Sequence, residues 1–178
     1  MTARPGPGAS RAPAILSGVP QAGWRERDAR RILDHIGPLP APRANPTLVV
    51  LVGLPGAGKS WLAAELRRRT GAVTLESDEL RALLFGRPAY SVDESRRLFA
   101  AIHAAIEENL RRGAPVILDA TNLAESEREP LYAIAEAAGA KLGIVRVVAP
   151  RWLIHRRLAR RTLGVEPSRS EAGVLVYE

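Results

Sequence analysis

An α/β fold, a doubly wound parallel sheet with helices on both faces, is what this 178-residue sequence predicts, and two features carry that reading. Short aliphatic and β-branched runs recur at TLVVLV (47–52), AVTLE (72–76), PVILD (115–119) and LGIVRVV (142–148). Stretches with helical spacing of apolar residues separate them, at 59–69, 78–85, about 92–112, about 124–138 and about 150–162. Strand and helix therefore alternate, which is the pattern of βαβ units building a parallel sheet covered on both sides.

The chain before this region reads differently. Its first twenty residues, rich in Pro, Gly, Ala and Ser, bury too little apolar surface to offset their ordering entropy and are expected to be disordered. WRERDARRILDHI (24–36) then places Trp24, Ile32, Leu33 and Ile36 at helix-compatible positions, and Gly37 with a proline-rich linker ends it. That helix either packs on the main domain or recruits a partner. The expected division is an N-terminal extension over 1–45 and one domain over 46–178.

Composition excludes several classes. A content of 46% apolar and 25% charged residues is ordinary for a globular chain. No apolar run approaches the roughly 20 residues needed to span a bilayer, and MTARPGPGASRAP lacks the apolar block of a secretory signal. A soluble, cytoplasmic protein with no membrane partner is expected. The absence of cysteine excludes disulfides and thiolate metal sites, and His35, His103 and His155 stand too far apart to suggest a ligand pair. Net charge is +7, but residues 1–46 hold seven arginines against Glu26, Asp28 and Asp34, so the rest of the chain carries only +3. A mildly basic domain suits phosphate handling and does not by itself identify a nucleic acid as ligand.

The first strand runs into Gly53-Leu54-Pro55-Gly56-Ala57-Gly58-Lys59-Ser60, which fits G-x-x-x-x-G-K-[ST] between strand and helix. Glycines let the backbone curl with its N–H groups inward, so that several donors and the positive end of the next helix meet one phosphate. Lys59 then reaches the β- and γ-phosphates and the Ser60 hydroxyl ligates Mg²⁺. ATP and Mg²⁺ are the expected cofactors. Trp61 follows, where such loops often carry a second hydroxyl residue.

Three downstream features bear on how the nucleotide is used. LESDELRALL sets Asp78 and Arg81 at the opening of a helix after the second strand, where a carboxylate could take a hydroxyl proton and Arg81 could hold a charged acceptor. SDEL is also an ordinary helix start, with Ser77 or Asp78 as cap. PVILDATNL ends an apolar run on Asp119, the expected place for a Mg²⁺-linked carboxylate, although Asp-x-Thr-Asn also suits a turn. APRWLIHRRLARRTLG pairs Arg156 with Arg160 and Arg157 with Arg161 at i,i+4, an arrangement favoured when an anion lies between them and otherwise read as a solvated basic face.

In this order, GLPGAGKS, S-D-x-x-R, D-A-T-N-L with Arg128, and a paired-arginine helix, the chain resembles the P-loop kinases grouped with polynucleotide 5′-hydroxyl kinases and zeta-toxin-like kinases, within the AAA-family ATP-binding proteins. The resemblance covers roughly residues 46–178. It implies a P-loop NTPase fold with a helical arginine lid, Asp78 as general base, and Arg81, Asp119, Asn122 and Arg128 near the acceptor. Arg156 and Arg160 would be the lid arginines, with Arg157 and Arg161 as the shifted option, and SEAGVLVYE is similar to the S-D-A segment after the lid. Trp61 departs from the usual Thr, and a last strand is expected to be missing. The reading is an ATP-dependent kinase acting on a hydroxyl of a nucleic-acid 5′ end or a nucleoside-like small molecule. Its rival is an ATP-binding regulatory or switch module with little transfer. Arg87, Tyr90, Arg96 and Arg97 are further candidate contacts, none singled out.

Overall fold

A computed structural model describes residues 23–122 and 124–162. The N-terminal tail, the SEAGVLVYE segment and the Arg161 side chain lie outside the described residues. Ten elements follow in chain order: α1 (Trp24–Ile36), β1 (Thr47–Val52), α2 (Lys59–Thr70), β2 (Val73–Glu76), α3 (Ser77–Phe85), α4 (Val92–Arg111), β3 (Val116–Asp119), α5 (Glu125–Ala137), β4 (Lys141–Arg146) and α6 (Arg151–Thr162).

The four strands form one parallel sheet in the order β2-β3-β1-β4. From β1 the chain crosses over β3 to reach β2, and every later crossover runs the other way. Because parallel crossovers are right-handed, that reversal puts α2 on one face and the helices after β2 on the other. Side chains obey the division. Val49, Leu51 and Ile117 point to α2 and pack with Leu62, Ala63 and Leu66. Their neighbours Leu48, Val50, Val116 and Leu118 point the opposite way, into a larger core with Leu98, Ile102 and Ile106 of α4 and Leu131 of α5.

The N-terminal helix joins that larger core through buried Ile32. Buried Asp28 of α1 accepts two hydrogen bonds from Arg97 of α4, at 2.6 and 3.1 Å. Arg31 donates to the Leu83 and Leu84 carbonyls at the end of α3. So α1 braces both helices that wall one side of the cleft described below.

The fourth strand ends at Arg146, two residues short of the sequence expectation. Its partner leaves it: β1 stops at Val52, and Gly53 turns away into the loop after a last bond from Val147 N–H to the Val52 carbonyl. Among the described residues β4 pairs with β1 alone, and its Ile144 and Val145 are 45% and 37% exposed. The sheet reversal lies between β1 and β3, where α/β sheets leave a crevice at the carboxyl ends of their strands. Register brings Leu51, Asp119 and Glu76 level there.

Candidate active site

The glycine-rich loop fills that crevice. Gly56 (φ 79°) and Gly58 (φ 109°) hold left-handed backbone that L side chains rarely adopt, and α2 begins at once with Lys59. The segment after β3 and α6 both hold the loop: Gly53 N–H donates to the Thr121 carbonyl at 3.2 Å, and Arg157 Nη1 of α6 donates to the Gly56 carbonyl at 3.0 Å. Lys59 Nζ donates to the carbonyls of Gly53 (2.9 Å) and Leu54 (3.2 Å), so its ammonium lies over the concave loop.

A cleft of about 760 Å³ opens beside the loop. Pro55, Gly56, Gly58, Lys59, Ser60 and Trp61 line one part of it, whereas Gly53, Leu54 and Ala57 of the loop do not. Asp78 and Arg81 line it from α3, Asp119 and Asn122 from the end of β3 and the loop after it, and Arg156, Arg157 and Arg160 from α6. Trp61 is 74% exposed.

At the tip of β3, Asp119 is only 4% exposed, and among the described residues its Oδ2 has no hydrogen-bond partner. Burial raises its pKa above the ordinary carboxylate value; the Ser60 hydroxyl and the Lys59 charge oppose that shift, and the Asp78 charge adds to it. A buried carboxylate oxygen without a partner, beside a serine hydroxyl, is a hard-oxygen donor set that fits Mg²⁺. A raised pKa means that the folded chain holds the proton more tightly than the unfolded chain. Stability from this group is full below the unfolded value and lost as pH rises through the raised one. Asp119→Asn is therefore expected to raise the melting temperature of the nucleotide-free protein at neutral pH. The gain should vanish on acidification below the ordinary carboxylate range, and the extra stabilisation by Mg²⁺–ATP over ATP should be lost. Thermal melts across pH check this, and a lowered neutral-pH melting temperature would count against it.

Other expected contacts are differently employed. Buried Arg81 donates from Nη1 to Glu94 Oε1 at 2.6 Å and from Nη2 to Ser95 Oγ at 3.2 Å, both on α4. Asn122 takes a left-handed backbone (φ 47°) and turns its amide into the sheet, donating to the Leu51 carbonyl at 3.3 Å. Arg128 does not line the cleft. It donates to the Asn122 carbonyl at 2.6 Å and pairs with Glu125, bracing the loop after β3. On α6, Arg156 stacks over the Trp152 ring at 5.8 Å, while Arg157 reaches the phosphate loop itself. Of Arg87, Tyr90, Arg96 and Arg97, only Tyr90 lines the cleft. Arg96 pairs with Asp93 beside it on α4, and Arg97 with Asp28.

A parallel β2-β3-β1-β4 sheet, a phosphate loop after its first strand and an arginine-bearing helix after its fourth define the P-loop kinase-like α/β fold. The family profile described as an AAA domain matches residues 48–175, and the chain belongs to that family. It is 37% identical over 110 residues to the protein KTI12 homolog of Mus musculus, a match covering 59% of this chain and 31% of that protein. With the Homo sapiens KTI12 homolog it shares 38% identity over 108 residues, covering 58% of this chain and 30% of the relative. The chain thus spans about a third of the length of these relatives. Among solved structures, a chain of the Pnkp1/Rnl/Hen1 RNA repair complex superposes with a TM-score of 0.61 at 24% identity, over 71% of this chain and 40% of that one. A chain of the PezAT toxin-antitoxin system of Streptococcus pneumoniae reaches 0.65 at 12% identity, over 83% and 65%. At such identities these two likenesses show the fold.

Proposed function

We propose that this protein is an ATP- and Mg²⁺-dependent kinase that moves the γ-phosphoryl group onto a hydroxyl, carried by a nucleic-acid 5′ end or a nucleoside-like small molecule. One observation carries the reading: a single cleft joins the phosphate loop, Asp78 at the start of α3, Asp119 at the tip of β3 and three arginines of one helix. Phosphoryl transfer needs little from a protein beyond position and charge, and these residues supply both. The loop amides and Lys59 hold the phosphates, and Asp78 takes the acceptor proton. Arg156, Arg157 and Arg160 spread the charge that develops on the transferred group. Ser60 and Asp119 would hold Mg²⁺, which when bound neutralises phosphate charge.

Arg81 favours a second reading. The arginine expected to hold the acceptor is committed to Glu94, and a nucleotide-binding switch needs no acceptor arginine. The two readings separate on transfer of labelled γ-phosphate from ATP to a panel of 5′-hydroxyl oligonucleotides, nucleosides and sugar nucleotides. Label on one acceptor class supports the kinase. ATP binding with no transfer to any class supports the switch.

A further inference from the structure

The segment between α3 and α4 holds one residue in an uncommon state. Tyr90 has φ 53°, a left-handed backbone that is uncommon for any side chain but glycine and an outlier for a bulky one. Such conformations persist where the surroundings over-determine them, and they gather at ligand sites.

Here the surroundings are explicit. Glu94 Oε2 accepts the Ala89 N–H at 2.7 Å, and Glu94 Oε1 accepts from Arg81. The Arg81 guanidinium in turn lies against one face of the Tyr90 ring, 4.9 Å from its centroid. The Arg81 guanidinium is therefore held at its edge by Glu94 and Ser95 of α4 while its face supports an aromatic ring. The ring remains 42% exposed and lines the cleft together with Asp78.

We infer that Tyr90 is the platform on which a flat heterocyclic base of the acceptor stacks, held at the angle that delivers its hydroxyl to Asp78. The inference rests on the kinase reading above and names the residue that binds the nucleobase of such an acceptor. Three observations favour a base over other acceptors. With three Trp, three Tyr and two Phe the chain is poor in aromatics, yet Trp61, Tyr90 and Phe99 all line this cleft. Trp61 adjoins the phosphate loop, while Tyr90 precedes α4 and Phe99 lies on it, so each half of the cleft has its own ring. A cation already covers one face of Tyr90, which makes the ring a poor host for a cationic acceptor on the other face and leaves stacking of a neutral ring favourable.

The test compares two acceptors with the same 5′-hydroxyl: a DNA decamer, and the same decamer with an abasic 5′-terminal residue. Asparagine tolerates left-handed backbone, so Tyr90→Asn removes the ring without imposing new strain, and Tyr90→Phe keeps the ring. Wild type and Tyr90→Phe are expected to prefer the base-bearing decamer about tenfold in kcat/KM. Tyr90→Asn should erase that preference while transfer to the abasic decamer and ATP affinity stay within about twofold. Equal loss on both decamers, or no preference in the wild type, overturns the platform. If the wild type transfers to neither, the kinase reading fails for this acceptor class. The same ratio then comes from equilibrium binding of the two fluorescently labelled decamers. A tenfold binding preference erased by Tyr90→Asn upholds Tyr90, and its absence rejects it.

Discussion

Asp78→Asn is expected to lower the phosphoryl-transfer rate by about two to four orders of magnitude, the usual contribution of a positioned general base, while ATP affinity changes by less than about twofold. Asp78 stands in the first turn of α3, directly after β2, and faces the cleft that also holds Lys59 and Asp119. Asparagine matches its size, and α3 has Glu76 at its cap position with no side-chain cap bond for Asp78 to lose, so the change removes a proton acceptor and little else. Asp78 also contributes to the raised pKa of Asp119, and neutralising it lets that carboxylate ionise more readily. Metal-dependent ATP binding should therefore hold or improve as turnover falls. Single-turnover transfer and equilibrium binding, measured side by side, separate the two effects. A parallel fall in both would show that Asp78 holds the nucleotide or the fold and does not act as base.

Gly53→Ala is expected to harm fold and site together. A Cβ on Gly53 would lie 2.4 Å from the Val147 carbonyl oxygen, a backbone atom with no freedom to swing aside, and φ of 153° adds strain. Forcing such a contact costs about 1–3 kcal/mol by overpacking alone. Relief would have to come from splaying β4 from β1 where Val147 N–H meets the Val52 carbonyl at 2.7 Å, or from displacing the phosphate loop. Either route disturbs the cradle, so ATP affinity should fall with stability. Gly71→Ala is the control. It carries a left-handed φ of 70° but, among the described residues, has nothing within 4 Å of its would-be Cβ, so only the backbone cost of about 1 kcal/mol applies. Denaturant unfolding of the two variants measures the difference, and a Gly53→Ala protein no weaker than Gly71→Ala would refute the close-approach argument.

Local pattern carried most of the architecture. The aliphatic runs at 47–52 and 115–119 are buried strands because both faces of the sheet are covered at their positions, and such strands need no polar alternation. α1 starts and stops at the expected residues, since Gly37 with the prolines beyond it cannot continue a helix. Sequence spacing is silent about partners brought together by the fold. Arg81 meets Glu94 only because the turn after α3 folds back, Asn122 finds the Leu51 carbonyl 71 residues away, and Arg157 finds the loop a hundred residues upstream. Lys59, Ser60, Asp78 and Asp119 could be named as candidates from the sequence because each sits at the end of a strand run or the start of a helical one. Whether a given arginine faces ligand or protein was not legible, since an arginine in a helical run looks the same in either case.

α6 and the phosphate loop touch along both apolar and polar contacts. Ile154 and Leu158 lie 3.4 Å from where a Cβ on Gly56 would stand, while Arg157 binds the carbonyls of Gly56 and Ala57. Helix and loop are thus one mechanical piece. Swinging α6 outward would withdraw the arginines from the cleft and in the same movement unclasp the loop, so letting go of the charge and letting go of the nucleotide become a single event.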